Sequence, residues 1–154
     1  MLSVLFVCTA NICRSPMACA LFGQIVNQRF SDLEWRIESA GTWGIDNELA
    51  AQGAQWAMQK RGLDLSGHKS RIVNKNIIKE ADLILTMEGG HKESLCAEFP
   101  EYRNQIFMLS EMIGQTFDIP DPMGGPLSGY ELTAQNIERI LVQGSDTIMR
   151  LLSQ

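Results

Sequence analysis

Residues 4–16 indicate the architecture of the whole chain: Val4-Leu5-Phe6-Val7-Cys8-Thr9-Ala10-Asn11-Ile12-Cys13-Arg14-Ser15-Pro16. The opening apolar run, rich in β-branched residues, predicts a buried parallel strand that ends at Cys8. Pro16 suits the first position of a helix, and apolar residues then recur every four positions to about Gln28. Residues 9–13, here called the anion loop, therefore join a strand end to a helix start.

Strand and helix patterns alternate along the rest of the chain. Residues 33–39, 82–87 and 105–109 carry strand signals, and amphipathic patterns predict helices from a cap at Asn47 to Gly62 and over 129–152. The order βαβαβαβα predicts a single Rossmann-like α/β domain over residues 1–154, with a four-stranded parallel sheet and helices on both faces. Ligands of such sheets bind beyond the carboxyl ends of the strands, where the anion loop is expected.

The composition is that of an ordinary globular domain, because hydrophobic residues make up 45% of the chain and charged residues 20%. The formal net charge of −5 disfavours a general binder of nucleic acids or anionic membranes. Residues 1–30 contain Arg14 and Arg29 but no Asp or Glu. An anion would therefore find its most favourable field near the N-terminus.

Cysteine usage indicates a reducing compartment. Cys8, Cys13 and Cys19 lie close together and Cys96 stands apart, while the first residues lack the basic start of a secretion signal. We therefore expect a cytoplasmic protein rather than a disulfide-stabilised secreted one. The cysteines and two distant histidines match no common zinc spacing, and no glycine-rich nucleotide motif is present, so no metal or cofactor is expected.

Cys8 is the candidate nucleophile. Backbone N–H groups of the anion loop and the following helix can converge on one anion, and a helix N-terminus with a nearby cation favours the nucleophilic thiolate form of a cysteine. Arg14 offers a planar, two-pronged donor that matches two phosphoryl oxygens, and Ser15 is placed to donate to the sulfur. The alternative, an inert buried cysteine at a strand end, does not explain this combination.

The same segment resembles the signature of the low-molecular-weight protein tyrosine phosphatases, in their bacterial form. Further matches follow in the family's order over essentially the whole chain: Ser39-Ala40-Gly41-Thr42, His68 with Arg71, residues 81–87 and Asp121-Pro122. The resemblance implies metal-independent hydrolysis of phosphotyrosine in proteins through a cysteinyl-phosphate intermediate. In that scheme Cys8 attacks phosphorus, and the phosphoryl oxygens are bound by Thr9, Ala10, Asn11, Ile12, Cys13, Arg14 and Ser15.

Further roles follow from the resemblance. Asp121 would be the general acid and later the general base, with Asp118 as the local rival. The loop would be supported by hydrogen bonds from Asn11, Ser15, Ser39 and His68, and Asn11 tolerates left-handed backbone angles. Cys13 matches a second loop cysteine that can form a reversible disulfide with the nucleophile.

Two features depart from the family pattern. Ala10 stands where glycine is usual, and if that position needs a positive φ, alanine costs about 1 kcal/mol in strain. The substrate cleft is expected to be lined by Ile12, Trp43, Ile45 and Met123, with Met123 where an aromatic residue is common. The region 81–125 most resembles the branch that includes arginine phosphatases, but that branch carries threonine where this chain has Ile12.

Phosphotyrosine is therefore the leading substrate and phosphoarginine the alternative. Two further alternatives are a thiol-dependent arsenate reductase, disfavoured because Cys96 stands alone downstream, and a non-catalytic oxyanion-binding module. The expected partners are a phosphorylated protein, which the resemblance allows to be a bacterial tyrosine kinase, and inorganic phosphate or another oxyanion. Nucleic acids and membranes are not expected partners.

Overall fold

Four parallel strands form one sheet in the order β2-β1-β3-β4. The computed structural model describes residues 1–154. The strands are β1 (Leu2–Cys8), β2 (Trp35–Gly41), β3 (Leu83–Thr86) and β4 (Ile106–Met108). The predicted four-stranded parallel sheet is confirmed. From Val4 to Val7, β1 is apolar, as expected of a strand that pairs on both sides and is covered on both faces.

Helices cover both faces of the sheet, as predicted. They are α1 (Arg14–Arg29), α2 (Gln52–Gln59), α3 (Lys75–Lys79), α4 (Gly89–Glu98) and α5 (Leu127–Leu152), with 3₁₀ helices at Pro100–Gln105 and Leu109–Ile113. Val4 and Phe6 of β1 pack in the core built with α1, α2 and α5. Leu5 and Val7 point to the other face and pack with residues of α3 and α4. None of the helices combines the length and apolar character needed to cross a lipid bilayer.

The prediction of a helix starting at Asn47 is wrong. Asn47 has a φ of 67°, outside the helical range, and its N–H donates to the carbonyl of Ser70 at 2.7 Å. Helix α2 begins only at Gln52. The long-range pairing with Ser70 holds the preceding segment in an irregular path that a local capping signal cannot reveal.

Two smaller differences concern the start of helix α1 and the short helix α3. Helix α1 begins at Arg14 rather than Pro16, so the anion loop leads directly into its first turn. Helix α3 was not predicted because its five residues are too few to show a period; Asn74 caps it by accepting a hydrogen bond from Ile77 N at 3.0 Å.

Candidate active site

The anion loop lies at the carboxyl end of β1, between Cys8 and Arg14. The carbonyls of Cys8 and Thr9 accept hydrogen bonds from Thr42 N and Trp43 N at 2.9 and 3.0 Å, which ties the loop to the end of β2. A Cβ atom at Gly41 would lie 2.4 Å from the Thr9 carbonyl oxygen, so only glycine allows this close approach.

The backbone N–H groups of residues 9–13 donate to no other group of the protein. The residue that caps α1, Cys13, makes no side-chain capping hydrogen bond. These donors stand at the positive end of the α1 dipole. The arrangement is suited to binding one compact anion.

Asn11 is the hub of the loop. It is fully buried and has a φ of 61°, the left-handed conformation that asparagine tolerates. Its side-chain amide donates to Ser15 Oγ at 2.8 Å and Ser39 Oγ at 2.9 Å. Its Oδ1 accepts from Arg71 N at 3.0 Å, and its carbonyl accepts from His68 Nε2 at 2.7 Å.

The sulfur of Cys8 lies 3.0 Å from Ser15 Oγ. Because Ser15 Oγ accepts a hydrogen bond from Asn11 Nδ2, its own hydroxyl hydrogen is free to point at the sulfur. The His68 ring must carry its proton on Nε2 to donate to the Asn11 carbonyl, and burial lowers the pKa of His68 below its ordinary value. The predicted supporting residues thus meet in one network around the sulfur.

Arg14 is 1% exposed and held from three sides. One terminal nitrogen, Nη1, pairs with the carboxylate of Glu88 and donates to the Ile119 carbonyl at 2.7 Å. The other, Nη2, lies 3.4 Å from Thr9 Oγ1. The buried Nε has no hydrogen-bond partner in the protein. A buried guanidinium with an unused donor is suited to receive an oxygen of an anion.

Glu88 and His91 were missed by the sequence analysis. Glu88 N donates to His91 Nδ1 at 3.2 Å, so the ring proton is on Nε2, which lies 2.9 Å from Thr9 Oγ1. Burial lowers the pKa of His91, which favours this neutral form. The signal available in the sequence was a Glu-x-x-His pattern directly after a buried strand, where side chains at a sheet edge are expected to meet a ligand.

Asp121 lines a small pocket above Cys8 that is also lined by Ala10, Ile12, Cys13, Arg14 and Met123. Its Oδ2 lies 3.8 Å from Arg14 Nη2. Asp118 is used differently, because its Oδ1 accepts a hydrogen bond from Gly89 N at 2.8 Å at the start of α4. The two aspartates are therefore distinguished by their surroundings.

The strain considered for Ala10 does not occur. Asn11 and Asn47 are the non-glycine residues with positive φ, and Ala10 is not among them. The condition for that cost is not met, because the left-handed turn of the loop falls one residue later, at Asn11. The Ala10 methyl group faces Gly44, where a Cβ would lie 3.6 Å away.

The predicted cleft residues do not all meet. Ile12 and Met123 line the pocket, whereas Trp43 and Ile45 lie outside its lining and are 77% and 62% exposed. The segment carrying them is tied down by backbone contacts, including Ser70 Oγ to the Ile45 carbonyl at 2.7 Å. Both side chains are therefore exposed to solvent outside the pocket.

Cys13 is buried next to the pocket as a free thiol. Burial, together with the negative charge of Asp121, raises the pKa of Cys13 to about 12. Its sulfur lies 3.7 Å from Met123 Sδ, and Tyr130 Oη, which was not predicted to be near the site, lies 3.6 Å from the same Sδ.

This geometry agrees with comparisons to known proteins. The model of the low molecular weight phosphotyrosine protein phosphatase family matches residues 3–151. The chain belongs to this family. It is therefore a protein phosphatase of the hydrolase class, as the sequence resemblance implied.

Among its relatives, the protein-arginine-phosphatase of Bacillus subtilis (strain 168) is 35% identical over 143 residues, which are 92% of this chain and 93% of that protein. The probable low molecular weight protein-tyrosine-phosphatase EpsP of Ralstonia nicotianae is 34% identical over 137 residues, 89% of each chain. A solved structure of the YwlE arginine phosphatase, a Cys-to-Ser mutant with a phosphorylated active-site serine, superposes with a TM-score of 0.90 at 33% identity and covers 97% of this chain and 99% of that one.

Proposed function

We propose that this protein hydrolyses phosphotyrosine in proteins through a cysteinyl-phosphate intermediate. The observation that carries the proposal is one small pocket lined by Cys8, Arg14 and Asp121, next to donors without a partner in the protein: the N–H groups of residues 9–13 and the Nε of Arg14. Cys8 attacks phosphorus from below, while Arg14 and the loop donors hold the three equatorial oxygens as charge spreads over them. The phosphorylated serine of the YwlE mutant supports a covalent phosphoenzyme in a relative of this fold.

Asp121 completes the reaction. It protonates the leaving oxygen as the P–O bond breaks, and then accepts a proton from the water that attacks the phosphocysteine. Asp121 lines the same pocket as Cys8, with its Oδ2 near Arg14, which supports this role; Asp118 is not part of that lining and binds Gly89 N instead. Ser15 donates to the Cys8 sulfur and stabilises the thiolate when it leaves.

The pocket walls favour an aromatic substrate. Ala10, Ile12 and Met123 present apolar surface, which suits a phenyl ring because methionine packs well on aromatic groups. A phosphoguanidinium would bring several N–H donors into the same space, where Asp121 is the available charged acceptor. Unpaired donors in such a site cost binding energy. The exposed Trp43 and Ile45 contact the substrate outside the pocket.

Phosphoarginine is the second candidate, favoured by the arginine phosphatase of Bacillus subtilis as a relative over 92% of the chain. The two candidate substrates are distinguished by measuring kcat/KM for matched phosphotyrosine and phosphoarginine peptides, both with the unmodified protein and with the Ile12→Thr variant. We expect the unmodified protein to prefer phosphotyrosine and Ile12→Thr to shift the ratio toward phosphoarginine. Ile77→Thr, on α3, is the control for loss of an isoleucine elsewhere. Preference for phosphoarginine in the unmodified protein would reverse the assignment.

We also propose a cytoplasmic setting, in which a bacterial tyrosine kinase is a candidate substrate. The mechanism needs Cys8 as a reduced thiol, which the cytoplasm maintains, and all four cysteines are unpaired. Cys13 is proposed to protect Cys8 by forming a disulfide with it after oxidation.

A further inference from the structure

The loop that carries Asp121 is fixed firmly at its beginning. We call residues 118–125 the acid loop. Asp118 accepts from Gly89 N at 2.8 Å, and Ile119 N donates to the Met87 carbonyl at 2.9 Å. The Ile119 carbonyl in turn accepts from Arg14 Nη1 at 2.7 Å. These contacts end one residue before Pro120, so they do not themselves orient Asp121.

Beyond Ile119, the acid loop has no backbone–backbone hydrogen bond to the remainder of the protein. Residues 120–125 make one backbone–backbone hydrogen bond, from Gly125 N to the Pro122 carbonyl at 3.0 Å, and it is internal. The ion pair of Asp121 with Arg14, at 3.8 Å, is long. The position of the carboxylate therefore depends on side-chain contacts that the loop makes further along.

Met123 supplies these contacts. Its Sδ lies 3.7 Å from the Cys13 sulfur on the anion-loop side and 3.6 Å from Tyr130 Oη on α5. Burial raises the pKa of both Cys13 and Tyr130, so both groups keep their protons at neutral pH and can donate to the thioether. The backbone of Gly124 also contacts the Tyr130 hydroxyl.

The backbone of Met123 acts on Asp121 directly. Met123 N donates to Asp121 Oδ1 at 3.0 Å, which leaves Oδ2 turned toward Arg14 and the pocket. One residue thus links the orientation of the carboxylate to two fixed points of the fold. A side chain that only walled the cleft would need neither sulfur contact.

We propose that Met123 is a positioning residue for the general acid, with its sulfur held between Cys13 and Tyr130 so that its backbone presents Asp121 to the leaving group. This inference rests on the proposed function, because it takes Asp121 as the acid. Cys13 and Tyr130 are then also positioning residues. The thioether is required as a hydrogen-bond acceptor, which an aliphatic side chain of similar volume cannot replace.

The test is the dependence of kcat/KM on the leaving group. A poor leaving group such as phenol needs protonation, whereas p-nitrophenol leaves without much help, and kcat/KM reports the step in which Cys8 is phosphorylated. We expect Met123→Leu to lower kcat/KM about tenfold for phenyl phosphate and much less for p-nitrophenyl phosphate. The tenfold loss is a fraction of the roughly 100- to 10,000-fold effect of losing the acid entirely. Tyr130→Phe should act in the same direction, and the double variant should be less than additive.

Two controls separate the possible outcomes. Asp121→Asn shows how kcat/KM depends on the leaving group when the acid is absent. If this dependence is the same as in the unmodified protein, the assignment of Asp121 as the acid fails, and with it the proposed function. The other outcome is that kcat/KM depends steeply on the leaving group in Asp121→Asn, whereas Met123→Leu shows the same dependence as the unmodified protein. In that case the positioning role of Met123 is overturned, and the residue is a cleft wall only. Met149→Leu on α5 controls for loss of a methionine, and an unchanged Kd for inorganic phosphate in Met123→Leu shows that the anion loop is intact.

Discussion

The hydroxyl oxygen of Ser15 lies 3.0 Å from the sulfur of Cys8 and, at the same time, accepts a hydrogen bond from Asn11 at 2.8 Å. A thiolate sulfur can only accept, and an oxygen that already accepts from the amide can turn its own proton to that sulfur. The serine hydroxyl is therefore a donor to the nucleophile, and it stabilises negative charge there.

Replacing this donor should slow turnover. For Ser15→Ala we expect kcat to fall about 10- to 100-fold, since a hydrogen bond to a charged group contributes about 1.5–3 kcal/mol. Rapid-quench measurement should show the phosphoenzyme accumulating, because the thiolate leaves less easily. Ser110→Ala, which removes a buried hydroxyl far from the sulfur, is the matched control. Equal losses in both variants would mean that the effect is on stability.

The two aspartates of the acid loop should behave differently. Asp121→Asn is expected to lower kcat/KM for phenyl phosphate about 100- to 10,000-fold and to remove one limb of the pH profile. Asp118→Asn weakens the hydrogen bond to Gly89 N and should lower Tm while leaving most of the activity. The reverse pattern, measured with the same substrate, would reassign the acid to Asp118.

Cys13 should determine whether oxidation of the enzyme is reversible. After a short treatment with hydrogen peroxide, we expect dithiothreitol to restore most of the activity of the unmodified protein but little of that of Cys13→Ser, each relative to its own starting value. Because the pKa of Cys13 is raised to about 12, the thiolate needed for disulfide formation is scarce at neutral pH. Recovery should therefore improve as the pH of the peroxide step is raised, and equal recovery in both proteins would exclude a role for Cys13.

Acid should destabilise the fold through His91. Burial lowers the pKa of this 7% exposed ring in the folded state, so the unfolded chain takes up the proton first as the pH falls below about 6.5. The contribution of the neutral His91 ring to the free energy of unfolding is therefore complete above that pH. It is lost as the pH falls below it, by at most about 1.4 kcal/mol per pH unit. The free energy of unfolding, measured with urea at several pH values between about 6.5 and 5, should fall less steeply with decreasing pH in His91→Gln than in the unmodified protein. An identical slope would mean that His91 titrates equally in both states.

His68 is the natural comparison for that measurement, because burial lowers its pKa as well and it donates to the Asn11 carbonyl. His68→Gln should likewise make the free energy of unfolding fall less steeply between about pH 6.5 and 5. The two variants together separate the contribution of the loop support from that of the Thr9 contact.

Much of the site could be predicted from local sequence. An apolar run, a short loop and a helix start follow one another within residues 4–16, and each is specified by near neighbours through strand propensity, anion-binding backbone and helix geometry. The family resemblance added Asp121, Ser39 and His68. The failure at Asn47 shows the limit of such signals, since its backbone follows Ser70 rather than its own capping preference.

The sequence by itself determined the nucleophile loop, the parallel sheet and the family. Only the tertiary structure decided what surrounds Arg14 and Asp121: Glu88 reaches Arg14 from 74 positions away, and Met123 reaches Cys13 from 110. It also decided that the left-handed residue is Asn11 and not Ala10. The physical reason is that hydrogen bonds and burial depend on distance in space, and at these separations along the chain the packing of β1, β3, α4 and α5 sets that distance.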